Sequence, residues 1–159
     1  MANVIDQDQQ WLLNCLSATL DPNHEVRSFA EASLNQASLQ PGFGSALSKV
    51  AANREFPMGL RQISFYLTYF YLAAVLLKQF VKKHWQEGEE AFEHPTVSSD
   101  EKAVIRRLLL MSLDDSHRKI CTAISMAVAS IAVYDWPEEW PDLLPFLLKL
   151  ISDQTKMNG

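Results

Sequence analysis

The sequence predicts an all-α protein, an open-ended α-solenoid of stacked antiparallel helix pairs. Three observations carry this prediction. Apolar residues recur every three or four positions in almost every segment, with none of the strict alternation of a half-buried strand. Prolines and short polar clusters cut the chain into pieces of helix length. The last and most apolar helix is followed by nothing that would cover it, whereas a repeat array buries each helix pair against the next and needs a polar cap at its end. The chain therefore reads as the N-terminal fragment of a longer array.

The chain has 159 residues, and 48% of them are hydrophobic. That is enough for a real core and excludes disorder of the whole. The formal net charge of -5 argues against a sequence-independent grip on nucleic acid, which needs a dominant basic face. Cys15 and Cys121 lie far apart in apolar helical contexts, so buried, reduced thiols are expected in place of a disulfide framework or zinc site. The N-terminus carries Asp6 and Asp8 but no basic residue or apolar h-region, and so is not a secretory signal. The run from Ile63 to Leu77, between Arg61 and Lys78, is uncharged but falls short of the roughly 18 to 20 apolar residues that span a bilayer.

Trp11, Leu12, Cys15, Leu16 and Leu20 form a first helical stripe, ended by Asp21 and Pro22, because proline cannot continue the hydrogen bonding. Val26, Phe29, Ala30, Leu34 and Ala37 share a face of a second helix that stops before Pro41. A shorter helix from Phe43 to about Asn53 offers Phe43, Leu47 and Val50, with Pro57 marking its end. A long helical run covers Leu60 to Trp85. Glu87 to Pro95, with Glu87, Glu89, Glu90 and Glu93, is an acidic connector that reads as solvated loop. Ser98 stands three residues before Glu101 in a capping-box arrangement, and the helix it opens carries Val104, Leu108 and Met111.

After a turn at Asp114, Asp115 and Ser116, the residues Ile120, Ile124, Ala127, Val128 and Ile131 define the next buried face. Ala123, Ser125, Ala127, Ala129, Ser130 and Ala132 allow close approach of neighbouring helices there. In the block "DWPEEWP", Asp135 is placed to cap the next helix. Pro137 and Pro141 suit first-turn positions, and Trp136 and Trp140 can wedge between helix pairs. That block reads as a structural turn and staple. Leu143, Leu144, Leu147, Leu148 and Ile151 then form the last stripe, widened by Phe146 and Leu150.

The repeating unit is helix, turn, helix, polar connector. Its second helices centre near Ala30, Ala74 and Ala127, which by position are 44 and 53 residues apart. HEAT and armadillo helix pairs repeat about every 40 to 47 residues, so the first spacing fits and the connector accounts for the excess in the second.

Four stretches give the chain a resemblance to the N-terminal region of the importin-β superfamily of nuclear transport receptors. They are the opening tryptophan helix, "VRSFAEASL" at residues 26–34, "LAAVLLKQFVKKHW" at 72–85, and "SHRKICTAISMAVASIAVYDWPEEWPDLLPFLLKLI" at 116–151. The "DWPEEWP" block, with Trp136, Pro137, Trp140 and Pro141, is the most specific. The resemblance implies a right-handed HEAT-repeat solenoid over residues 1–159, about three helix pairs plus the first helix of a fourth. It implies that these repeats bind the GTP form of the small GTPase Ran. It also implies a full-length protein that moves between cytoplasm and nucleus, meets nucleoporins at the nuclear pore, and carries basic protein cargo such as histones and ribosomal proteins. In such a solenoid the second helix of each pair lines the concave surface. Lys78, Gln79, Lys82 and Lys83 on one such helix, and Arg118 and Lys119 at the start of another, are the expected Ran contacts. The bland alternative for these residues is the solvated face of an amphipathic helix.

The sequence departs from the family pattern at "ISFYLTYFY", Ile63 to Tyr71, an apolar insert that separates Gln62 from Leu72. Nine residues turn an α-helix by about 900°, half a turn beyond whole revolutions. The insert must either extend the long helix at its N-terminal end, displacing Leu60 to Gln62, or bulge out as an exposed aromatic patch, and either is expected to harm packing. Catalysis finds no support. His24, His84, His94 and His117 fall on different elements, Ser116 beside His117 is mere adjacency, and no glycine-rich phosphate loop or metal-ligand spacing is present. The competing readings are a HEAT-type scaffold or adaptor without a transport role, and a membrane-anchored helical protein using residues 63–77.

Overall fold

The computed structural model describes residues 7–52, 63–113 and 118–158, with side chains over 7–52, 68–113 and 121–153. Among these residues all regular structure is helical. The elements in chain order are α1 (Gln7–Ala18), α2 (His24–Ala37), α3 (Phe43–Ala52), α4 (Ile63–His84), α5 (Ser99–Met111), α6 (Arg118–Asp135) and α7 (Leu143–Asn158). α1, α3 and α5 pack side by side in one row, α4 and α6 in a second, and α3 joins the two rows by packing on α4. This is the layered arrangement of helix pairs that the periodicity predicts. One continuous core runs through it, from Leu12 and Leu16 through Leu47, Leu77 and Ile105 to Ile124 and Ile131.

The ends of the helices follow from local chemistry. Asn23 caps α2 by accepting from the Glu25 amide at 2.9 Å, which satisfies one of the donors that a helix start leaves unpaired. Arg27 reaches back to the Asp21 and Pro22 carbonyls, both at 2.9 Å, and holds α2 against the turn. Ser98 caps α5 by accepting from the Glu101 amide at 3.2 Å.

Only half of the expected capping box forms. The Glu101 carboxylate does not turn back on Ser98; it accepts from the Gly42 and Ser45 amides at the start of α3, each at 3.1 Å. Gly42 has a φ of +90°, a left-handed conformation that suits glycine. An acidic side chain at a helix N-terminus also complements the helix dipole.

Several apolar positions face differently from their predicted sides. On α1 the core takes Leu12, Leu13 and Leu16, while Trp11 and Leu20 are exposed. On α2 the core takes Ala30 and Leu34 and leaves Phe29 76% exposed, with Val26 also exposed. One residue turns a helix by about 100°, and α2 packs chiefly on α1, so its buried face is too narrow to include both Phe29 and Ala30. On α5, Ile105, Leu109 and Leu110 are buried, Val104 and Leu108 are half-buried, and Met111 is exposed. Glu101, Ile105 and Leu109 lie four residues apart on one face, and the bonds from Glu101 to α3 set that face inward.

α6 buries Ile124, Ala127, Val128 and Ile131 as expected; the side chain of Ile120 lies outside the described residues. Of the small residues there, Ala123 and Ala127 are buried, Ala132 and Ser130 are half-buried, and Ser125 and Ala129 are exposed. Ala30, Ala74 and Ala127, one on each second helix, are all buried. Both cysteines are half-buried and free, less enclosed than predicted.

Residues 63–71 form the start of α4. Leu60 to Gln62 lie outside the described residues, as do Asn53, Pro57 and the turn at 114–116. The side chains of this extension before Thr68 lie outside the described residues, and its later part is packed in. Phe70 is buried, Tyr69 packs against the core, and the Tyr69 hydroxyl donates to Ser17 Oγ on α1 at 3.3 Å. Tyr71 alone of these three is exposed. Among the described residues no helix is long and apolar enough to cross a membrane.

Candidate partner-binding face

The segment after α4 is folded back on it. Glu93 N–H donates to the Lys83 carbonyl at 2.7 Å and Val97 N–H to the His84 carbonyl at 3.0 Å. His84 is buried, and its Nδ1 lies 2.8 Å from the Glu93 carbonyl and 3.0 Å from the Pro95 carbonyl. Two carbonyl neighbours require that Nδ1 carry the proton and donate. The acidic connector is thus solvated on its glutamates and pinned on its backbone, which fixes the C-terminal end of α4.

Four of the six predicted contact residues sit on that end. Gln79, Lys82 and Lys83 are exposed and Lys78 is half-buried. Lys83 and Gln79, with Leu34, Asn35, Ser38, Phe43, Leu76 and Phe80, line a cavity of about 50 Å3 between α2 and α4. Lys78, Lys82 and Lys83 make no ion pair with any described residue. In a chain of net charge -5 they form a local basic strip suited to carboxylates of a partner.

Arg118 and Lys119 lie in the first turn of α6, and their side chains are outside the described residues. They do not belong to the same cluster. α4 and α6 pack along each other with their C-terminal ends together, as the bond between Trp85 and Asp135 requires. The α6 start is therefore one helix length away, about 24 Å from residue 119 to residue 135 at about 1.5 Å per residue. The second helices also carry exposed apolar side chains: Phe29 on α2, Tyr71 on α4, and Met126 and Val133 on α6.

Two residues of the "DWPEEWP" block are drawn into the interior, by a different route from the one predicted. Asp135 does not cap α7. It is buried, accepting from the Trp85 indole Nε1 at 3.0 Å and pairing with Arg106 at 2.6 Å. Lys102, one turn before Arg106, holds its ammonium 5.2 Å from the Trp85 ring centre, a cation–π contact. Trp140 is buried as a wedge, whereas Trp136 is 46% exposed, because drawing Asp135 inward turns the next side chain out. Nothing local in the sequence announces this network, whose members come from three helices. Its one legible trace is the pairing of Lys102 and Arg106 four residues apart on a helix otherwise facing a core.

Beyond the core, α7 leaves Leu144, Leu148 and Ile151 exposed while burying Leu143. His24 and His94 are exposed, and His117 lies outside the described residues. Among the described residues no group of three or more His, Cys, Asp or Glu is placed to hold a metal ion.

Paired helices in two rows, with exposed lysines and exposed apolar side chains on the second helices, define an α-solenoid. The relatives of the chain narrow that class. Residues 30–115 match the importin-beta N-terminal domain family, and the chain belongs to that family. It is 30% identical over 146 residues to the importin beta-like protein KAP120 of Saccharomyces cerevisiae, covering 90% of this chain and 13% of that protein. It is 27% identical over 143 residues to importin-11 of Homo sapiens (90% and 13%) and 26% over 149 residues to importin-9 of Drosophila melanogaster (92% and 14%). The chain thus spans about an eighth of the length of these relatives. Its backbone resembles that of the exportin Cse1 in its cargo-free, cytoplasmic state, with a TM-score of 0.70 at 22% identity over 87% of this chain and 14% of that one. The fold is accordingly a HEAT-repeat solenoid.

Proposed function

We propose that this chain is the N-terminal partner-binding part of a nuclear transport receptor, and that its second-helix face docks the GTP form of the small GTPase Ran. The observation that carries this reading is the match of residues 30–115 to the importin-beta N-terminal domain. The basic strip at Lys78, Lys82 and Lys83 supports it, because these side chains are free for an acidic partner. Gln79 adds an uncharged donor and acceptor beside them. Arg118 and Lys119 form a second contact point at the far end of the same row. Residues 1–159 then constitute one HEAT-repeat unit of three helix pairs and the first helix of a fourth, with 63–71 as an unusual N-terminal extension of α4.

In the full-length protein, basic cargo such as histones and ribosomal proteins and nucleoporin contacts would fall to the remaining repeats. That protein would work in cytoplasm and nucleus and at the pore, as a binding protein without catalysis. A pull-down of the chain with GTP-locked and GDP-locked Ran tests the proposal. Selective capture of the GTP form, reduced by Lys82→Glu with Lys83→Glu, supports it. Equal or absent capture favours a HEAT-type scaffold without a transport role.

A further inference from the structure

The two junctions between successive helix pairs are built differently. Between α2 and α4 there is a cavity of about 50 Å3 rimmed by Asn35, Ser38, Gln79 and Lys83, and no ion pair among the described residues crosses it. α2 packs chiefly on α1, and its largest side chain, Phe29, is exposed. Between α4 and α6 the buried alanines Ala73, Ala74, Ala123 and Ala127 permit close approach along the helices. The C-terminal end of that junction is closed by the carboxylate of Asp135. That group, itself on the third pair, accepts across the junction from Trp85 of the second pair at 3.0 Å and within its own pair from Arg106 at 2.6 Å. Trp85 is fully buried and Asp135 is 4% exposed, so little solvent screens the clasp.

We infer that Asp135 is a clasp that locks the second and third helix pairs into one rigid block, and that bending of this solenoid is confined to the junction between the first pair and that block. The physical basis is the difference in what a small rotation would disrupt. Rotating the third pair against the second would separate the buried Asp135 carboxylate from the Trp85 indole, draw Lys102 off the Trp85 ring and open the contacts of the buried alanines, all costly in a low-dielectric interior. Rotating the first pair against the second would reshape an existing cavity, break no described ion pair and strain the solvent-exposed 3.3 Å bond between Tyr69 and Ser17. The partner-binding strip on α4 therefore moves with α6, and α2 moves relative to both. This goes beyond the transport reading and stands whether or not Ran is the partner.

The test is pulsed electron-spin distance measurement on the full chain, with Cys15 and Cys121 replaced by serine. One label pair, Phe29→Cys with Tyr71→Cys, spans the first junction; the other, Tyr71→Cys with Val133→Cys, spans the second. All three positions are exposed. The expected result is a broader distance distribution across the first junction than across the second in the otherwise native chain. Asp135→Ala and, separately, Trp85→Phe each remove the bond that crosses the second junction, and should broaden the second distribution and leave the first unchanged. Equal widths in the native chain would overturn the inference, as would a variant that lowers the melting temperature without broadening the second distribution. Should either variant fail to fold, the other variant and the native comparison decide the matter.

Discussion

Glu101, in the first turn of α5, accepts the backbone amide of Ser45 on α3 at 3.1 Å. A carboxylate from one helix pair thus caps the helix start of the preceding pair, and its second oxygen takes the Gly42 amide at the same distance. This bond fixes the rotation of α5 and puts Ile105 and Leu109 into the core.

Replacing Glu101 by alanine removes a cap from α3 without making a cavity. The expected loss is about 1 kcal/mol, within the usual range for helix caps. Urea unfolding checks it, and Glu101→Gln should lose less, because its amide oxygen still accepts one bond.

Gly44 is where α3 comes closest to its neighbours. An added Cβ would lie 2.6 Å from Phe80 Cε1 and 2.9 Å from Ile105 Cδ1, and both partners are buried. Gly44→Ala gains about 1 kcal/mol of helix propensity but forces repacking that typically costs about 1 to 3 kcal/mol. The net expectation is destabilisation, read as a lower melting temperature, with partial rescue by Ile105→Val.

Arg106→Ala leaves the Asp135 carboxylate buried without its charge partner, with only the Trp85 indole to satisfy it. Removing one member of a buried pair costs about 3 kcal/mol or more. Asp135→Asn, which keeps an acceptor for Trp85, should cost less than Asp135→Ala. Chemical denaturation of the three variants gives the order directly.

Burial, and secondarily the negative charge of Glu89, push the Tyr134 phenol above its ordinary value. A group whose folded pKa is raised keeps its stabilising effect below the unfolded pKa and loses it as pH rises through the folded one. Stability should thus be insensitive to Tyr134 up to about pH 10 and fall above it. Tyr134→Phe should flatten that alkaline fall, and Glu89→Gln should move the phenol titration downward in an ultraviolet absorbance titration.

The regular features of this fold are written in local sequence. Helix periodicity and proline punctuation place the helices, and the alanines at 30, 74 and 127 fall one on each second helix. The orientation of individual side chains is not local. Leu108, Leu109 and Leu110 in succession fit two faces equally well, and Glu101 selects one through a bond to a residue 56 positions away. Phe29 looks like core by spacing and is exposed because α2 has one principal neighbour. Asp135 resembles a helix cap, yet two donors from other helices draw it inward. The exposure of Lys82 and Lys83 was legible because lysines near the end of α4 stay solvated whichever way the apolar stripe is cut.

The most direct measurement for the account as a whole is a calorimetric titration of this chain with GTP-locked and with GDP-locked Ran. The account predicts a saturable heat with the GTP form that weakens with rising salt and with Lys82→Glu, and none with the GDP form. Binding that does not distinguish the two nucleotide states, or no binding to either by a chain shown to be folded, would contradict it.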